Sequence, residues 1–189
     1  MRFVLYLFLL FTELVAISQV VAQGEQTRRL YELGLEAQWY PAGIIGSFRG
    51  AKYVSDKSAL IAGIGYNDAN RRDFGEHDLE KGGGPGLYAG YRRYFFTDQP
   101  SGLYASARLT GWWMAIGWKD ERNGEIESGT TFITVLQPTL DVGYELVLNK
   151  SWSIAAGGAF GIEWNVISFG EDVGQGGISI LFLSAGRRF

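Results

Sequence analysis

His77 is the only histidine of the chain, and it stands between Glu76 and Asp78 in a densely charged stretch. An imidazole becomes a general base when a hydroxyl nucleophile lies within hydrogen-bond reach. The nearest arrangement that would supply one, a His-x-Ser pair, is missing, because the residues run His77-Asp78-Leu79. A solvated loop residue is the simpler reading, and a catalytic site assembled from several loops around His77 is the alternative. One histidine cannot build a usual zinc site, and no cluster of His and carboxylates has metal-ligand spacing. The chain has no Cys, which removes disulfides, thiolate ligands, a Cys nucleophile and a lipid-modified N-terminal Cys. Gly82-Gly83-Gly84-Pro85-Gly86 is followed by neither Gly-Lys-Ser/Thr nor a helix, so it reads as a loop re-entering a strand rather than a phosphate cradle. No cofactor is expected.

A second set of charges is more orderly. Glu32, Glu36, Arg108, Asp141, Glu145 and Glu163, with one of Arg92 or Arg93, sit within apolar segments at alternate positions, so each shares a face with other polar residues. If the segments are strands of a small closed barrel, these side chains project into a lumen only wide enough to be filled by them. Unpaired charges are costly there, which predicts a cross-lumen ion-pair network that plugs the barrel and keeps conductance low. A proton or solute path is the competing use of the same residues.

The elements that must position these residues show period-2 alternation. From Leu30 to Tyr40, one face carries Tyr31, Leu33, Leu35, Ala37 and Trp39 and the other Glu32, Gly34, Glu36, Gln38 and Tyr40. The same signal gives eight strands: Leu30 to Tyr40, Ser47 to Val54, Ala59 to Tyr66, Gly86 to Phe96, Gly102 to Trp118, Thr130 to Leu148, Ser151 to Ile167 and Gly177 to Phe189. Short polar turns (Ser55 to Ser58, Thr97 to Ser101, Asn149-Lys150) alternate with the longer connections Asn67 to Pro85, Lys119 to Gly129 and Ser168 to Gly176. Only the first connection, Pro41 to Gly46, is short where a long one is due. Ser47 to Val54 is the weakest strand, since Arg49 and Lys52 fall on opposite faces. Pro138 cannot donate to a ladder and is expected at the rim or at a bulge.

Composition agrees with an all-β protein: 47% of residues are apolar, 15% are aromatic, and 27 glycines supply turns. A net charge of -3 leaves no basic excess for nucleic acid. Arg2, the apolar run Phe3 to Phe11 and the modest residues Val20-Val21-Ala22 read as a secretory signal cut between Ala22 and Gln23, despite Glu13 within it. The expected organisation is a signal peptide over residues 1–22 and one barrel domain over residues 23–189.

Strand length and aromatic placement separate a membrane barrel from a soluble one. Trp152 and Trp164 bracket one face of Ser151 to Ile167, and Tyr31 and Trp39 bracket the first strand. Twelve residues at about 3.3 Å, tilted by about 40°, span about 30 Å, enough for two aromatic girdles flanking an apolar band about 25 Å tall. The Tyr94-Phe95-Phe96 and Trp112-Trp113 clusters also fall near strand ends. The last segment is apolar and strand-like and ends on Phe189. As a sheet edge it would invite aggregation, whereas paired to the first strand it closes a ring.

These features together, with a final strand ending Arg187-Arg188-Phe189, resemble the small eight-stranded outer-membrane β-barrels of Gram-negative bacteria. The segment Gly86-Leu87-Tyr88-Ala89-Gly90-Tyr91-Arg92-Arg93-Tyr94-Phe95 is similar to strands of uncharacterised Bacteroidetes-type barrels. The resemblance implies an antiparallel up-and-down transmembrane barrel in the cell outer membrane, with outer-membrane lipid and the barrel-assembly machinery as partners. It implies an assembly signal in Phe189, Leu183 and Leu181, from which Arg187 departs. The expected role is structural or in surface interaction, without catalysis. The alternatives are an outer-membrane lipid-modifying enzyme using His77, or a secreted lipocalin-like carrier whose apolar faces point inward.

Overall fold

Side chains that alternate apolar and polar give each strand one face for a hydrocarbon surface and one for a polar interior, and a ring of such strands leaves no unpaired edge. The computed structural model describes residues 30–72, 75–96, 100–122, 124–148 and 151–189, and the expected signal cleavage at Ala22 and Gln23 lies outside them. Eight strands follow in order: β1 (Tyr31–Tyr40), β2 (Gly43–Ser55), β3 (Ser58–Arg72), β4 (Leu79–Tyr94), β5 (Gly102–Arg122), β6 (Glu125–Leu148), β7 (Trp152–Phe169) and β8 (Gly176–Arg188). Each pairs antiparallel with its sequence neighbours, and β1 pairs with β8 through Glu32↔Arg188 to Trp39↔Leu181. The sheet is therefore a closed, all-β, up-and-down barrel.

One end, the turn end, carries the Asp56-Lys57 turn, Leu30 and Phe189; the other, the loop end, carries Pro41-Ala42, residues 75–78, Gly124 and residues 170–175. The apolar faces point outward: Phe48, Leu140 and Leu181 are each 68% exposed and Phe160 72%. This orientation is the reverse of what a lipocalin-like carrier requires. Tyr31 and Trp152 near the turn end, and Trp39 and Trp164 toward the loop end, also lie outside and half-exposed. On β8, Leu181, Leu183, Ala185, Arg187 and Phe189 face outward, while Ile178, Ile180, Phe182, Ser184 and Arg188 face inward.

Several boundaries differ from the sequence reading. Asn67 to Pro85 and Lys119 to Gly129 are mostly strand, because β3 and β4 continue pairing to Arg72↔Leu79 and β5 and β6 to Arg122↔Glu125. Charged residues there suggested loops, but a ladder is held by its backbone and tolerates them on an exposed sheet. The glycine run lies inside β4 rather than in a loop. A Cβ on Gly84 would lie 1.8 Å from the Trp113 carbonyl oxygen, and one on Gly86 would lie 2.1 Å from the Trp112 ring. The glycines let large side chains and neighbouring backbone close in. Trp112 and Tyr94 point inward and are buried, so Trp113, Phe95 and Phe96 of those clusters lie outside. Pro138 is neither at the rim nor at a bulge. It sits opposite Leu109 of β5, in a gap of the β6–β7 ladder between Leu136↔Trp164 and Thr139↔Gly161 across which the register is unchanged; the shift in that ladder lies at Thr134 and Val135.

Candidate functional site

Alternation alone decides which side chains enter the barrel, and near the turn end it brings in charge of both signs. Glu32 of β1 contacts Arg49 of β2 and accepts from Arg188 Nε of β8 at 3.0 Å and from the Tyr53 hydroxyl at 2.7 Å. Glu145 of β6 takes Arg92 Nη1 of β4 at 2.7 Å, the Tyr94 hydroxyl at 2.9 Å, and Arg188. Arg108 of β5 joins Glu36 of β1 at 2.6 Å to Asp141 of β6 at 2.7 Å. Four arginines thus face four carboxylates, all buried. Gln38 donates to Glu36 at 2.7 Å and Thr139 to Asp141 at 2.9 Å, occupying further carboxylate lone pairs. Arg92 lies 3.8 Å from the Tyr104 ring centre and Arg188 4.8 Å from that of Tyr53, so the guanidinium faces are also covered. Charges desolvated to this degree persist only when paired and hydrogen-bonded; every charge of the layer is paired, while Arg49 Nε and Nη1 and Arg108 Nε have no hydrogen-bond partner among the described residues.

Toward the loop end the interior becomes apolar. Ile45, Trp112, Met114, Ile116, Ile133, Val135, Ile178 and Ile180 pack into one cluster, in which Trp112 Nε1 donates to Gln137 at 2.6 Å. Glu163, placed by the sequence in the same network as the other five charges, belongs instead to a separate group at this end. It meets Arg71 Nη2 at 2.9 Å, and Arg71 Nη1 meets Glu80 at 3.2 Å. The structure therefore brings Glu32, Glu36, Arg108, Asp141 and Glu145 together and sets Glu163 apart. Sequence reasoning left out Arg49, Arg71, Glu80 and Arg188. Parity along β8 identifies Arg188, because an outward Phe189 turns its neighbour inward. Arg71 and Glu80 were hidden in what read as a loop.

His77 is not a free loop residue. Its Nδ1 lies 3.0 Å from Asp120 Oδ2 and its Nε2 2.9 Å from the Asp172 carbonyl oxygen, and its ring stacks on Trp118 at 4.4 Å with 10° between planes. Partial burial works against the charged ring, but the hydrogen bond and charge of Asp120 outweigh it and raise the His77 pKa above its ordinary value. A catalytic base needs a ring nitrogen free to take the nucleophile's proton. Here both nitrogens are engaged, and neither partner is a hydroxyl. Among the described residues no group of His, Cys, Asp and Glu is arranged to hold a metal ion.

No protein-family model matches the chain, and no curated protein matches it. Among solved structures it is similar to the N-terminal β-barrel domain of Pseudomonas aeruginosa OprF (14% identity over 86% of this chain and 98% of that one, TM-score 0.45). It is similar also to Neisserial surface protein A (12%, 84% and 94%, TM-score 0.45) and to Ail, the attachment invasion locus protein of Yersinia pestis (9%, 87% and 100%, TM-score 0.48). The fold itself rests on the closed ladder of this chain.

Proposed function

We propose that the chain is an integral outer-membrane barrel of Gram-negative type, with a side-chain-filled interior, serving envelope structure or surface interaction without catalysis. The observation that carries this is the pairing of an apolar outer wall with a charged, ion-paired interior in one closed sheet. Lipid supplies no hydrogen bonds, so a spanning sheet must have no open edge and must turn its apolar side chains outward. Tyr31 and Trp39, and Trp152 and Trp164, are then interfacial anchors at the two faces of the bilayer. Outer-membrane lipid surrounds the wall, and Leu181, Leu183 and Phe189 are the outward residues of the assembly signal read by the barrel-assembly machinery. The signal peptide over residues 1–22 belongs to this reading, as does the Bacteroidetes-type likeness of Gly86 to Phe95. The turn end faces the periplasm and the loop end the exterior.

The arginine and carboxylate layer and the apolar cluster above it make the barrel a strut rather than a pore. Membrane fractionation with heat-modifiable gel mobility tests the class: the barrel fractionates with outer membranes and migrates faster before boiling than after. A detergent-free soluble protein would overturn the reading. Planar-bilayer recordings test the filled interior, and a stable wide pore would overturn that part alone.

A further inference from the structure

The loop end is spanned by residues 170–175, the connection between β7 and β8, and this strap is held down at several points. Val173 is buried in the apolar cluster. Gly174 donates its N–H to both oxygens of Glu80, at 3.0 and 3.1 Å, and its carbonyl accepts from Arg71. Asn165 Nδ2 donates to the Val173 carbonyl at 2.9 Å. Between the end of the strap and the β1–β2 turn is a cavity of about 230 Å³ whose lining includes Tyr40, Pro41, Arg71, Glu163 and Gly174. A further tether is His77 Nε2 to the Asp172 carbonyl.

The partners of His77 fix its protonation state. Asp120 Oδ2 and the Asp172 carbonyl oxygen both accept, and only a ring carrying protons on both nitrogens donates to both. The other oxygen of that carboxyl, Oδ1, accepts the Asp78 N–H at 3.0 Å, so both oxygens of Asp120 face donors. The Trp118 face under the ring favours a cation as well. The charged groups around His77 come from every neighbouring element. Asp120 belongs to β5, Glu76 and Asp78 flank His77, and Glu80 of β4 accepts the N–H groups of Glu76 and His77 at 2.8 and 3.4 Å. Arg71 of β3 is bound to Glu80, and the strap brings Glu171, whose carbonyl accepts from Thr131 Oγ1 at 2.8 Å.

The geometry points to His77 as a pH-sensitive latch that, in its doubly protonated form, ties the β7–β8 strap across the mouth of the barrel to the β5–β6 hairpin. Loss of one proton leaves the ring with one donor. The carboxylate of Asp120 retains it on Nδ1, because a charge-assisted bond is the stronger of the two. The bare Nε2 lone pair then faces the lone pairs of the Asp172 carbonyl, and the strap tether is the bond that breaks. The latch is closed below His77's ordinary value near 6.5 and opens as pH rises through its raised value. It does not depend on which solute, if any, uses the cavity.

Because His77 is the only histidine, nitrogen-detected NMR of the barrel in micelles reads it without ambiguity. At pH 6 both ring N–H protons are expected. The ring should titrate above about 6.5, and the Asp172 and Gly174 amides should shift with the same midpoint. Exchange protection in the strap should fall about tenfold across that midpoint, the worth of one hydrogen bond to a charged group. Asp120→Asn should lower the midpoint. His77→Gln, whose amide donates hydrogen bonds but does not titrate, should make the strap signals indifferent to pH between 6 and 9. A neutral ring at pH 6, strap amides unmoved in the native protein, or the same titration surviving in His77→Gln would overturn the latch.

Discussion

Arg188 and Glu32 meet inside the barrel, Nε to Oε2 at 3.0 Å, although they stand 156 positions apart in the sequence. The pair crosses the β8–β1 seam, and Arg188 continues to Glu145 of β6. Removing Arg188 leaves two buried carboxylates short of a partner. Arg188→Ala should cost about 3–5 kcal/mol, read as a lower urea midpoint for unfolding in micelles.

Arg108 ties Glu36 to Asp141 across the interior. Arg108→Ala should destabilise strongly by the same mechanism. The triple variant Arg108→Met, Glu36→Leu, Asp141→Leu should recover most of the loss, because an apolar replacement of similar volume leaves no charge uncompensated. Urea titrations of the single and triple variants check this, and a triple variant as weak as the single one would contradict it.

Glycines of the wall should separate cleanly by what lies above them. Gly86→Ala should cost about 1–3 kcal/mol through overpacking, since its Cβ would meet the Trp112 ring and the Gly111 carbonyl. Gly111→Ala, with nothing within 4 Å of the added carbon, should be tolerated. Thermal shift of the unboiled gel form compares the two.

Leu35 lies outside, midway along β1 between Tyr31 and Trp39. Leu35→Arg should cost about 2–4 kcal/mol in a bilayer and Tyr31→Arg about 0–1 kcal/mol, the depth dependence of a lipid-facing wall. Folding titrations into liposomes measure both. Equal costs would mean the face does not sit in lipid.

The raised pKa of His77 fixes the sign of its contribution to stability. A basic group whose folded value exceeds its unfolded one stabilises fully below the unfolded value, and the gain disappears as pH climbs through the folded value. The melting temperature of the native barrel should therefore fall toward that of His77→Gln between pH 6 and 9. Parallel melting series across this range check it.

The ring of eight strands and its inward residues were legible because parity is a local property: Glu32, Glu36, Arg108, Asp141 and Glu145 each alternate with apolar neighbours. Partner choice was not legible. Glu163 has the same local pattern as Glu145, yet its height along β7 sets it beside Arg71, and height depends on the register of strands distant in sequence. The strands beyond Tyr66 and Trp118 were missed because polar side chains on both faces erase alternation while leaving the backbone ladder intact. His77 read as solvated because its partners, Asp120 and Asp172, come from other elements.

The order of strands around the ring also implies an order of assembly. Seven of its eight ladders join chain neighbours and can zip from their turns, so each closes only a short stretch of chain. The eighth, between β1 and β8, must bring together segments separated by most of the sequence and carries the largest loop-closure entropy. The Glu32 to Arg188 contact cannot exist before that step. Formation of this ion pair therefore reports completion of folding, and variants at Arg188 should accumulate as unclosed sheets rather than as loosened barrels.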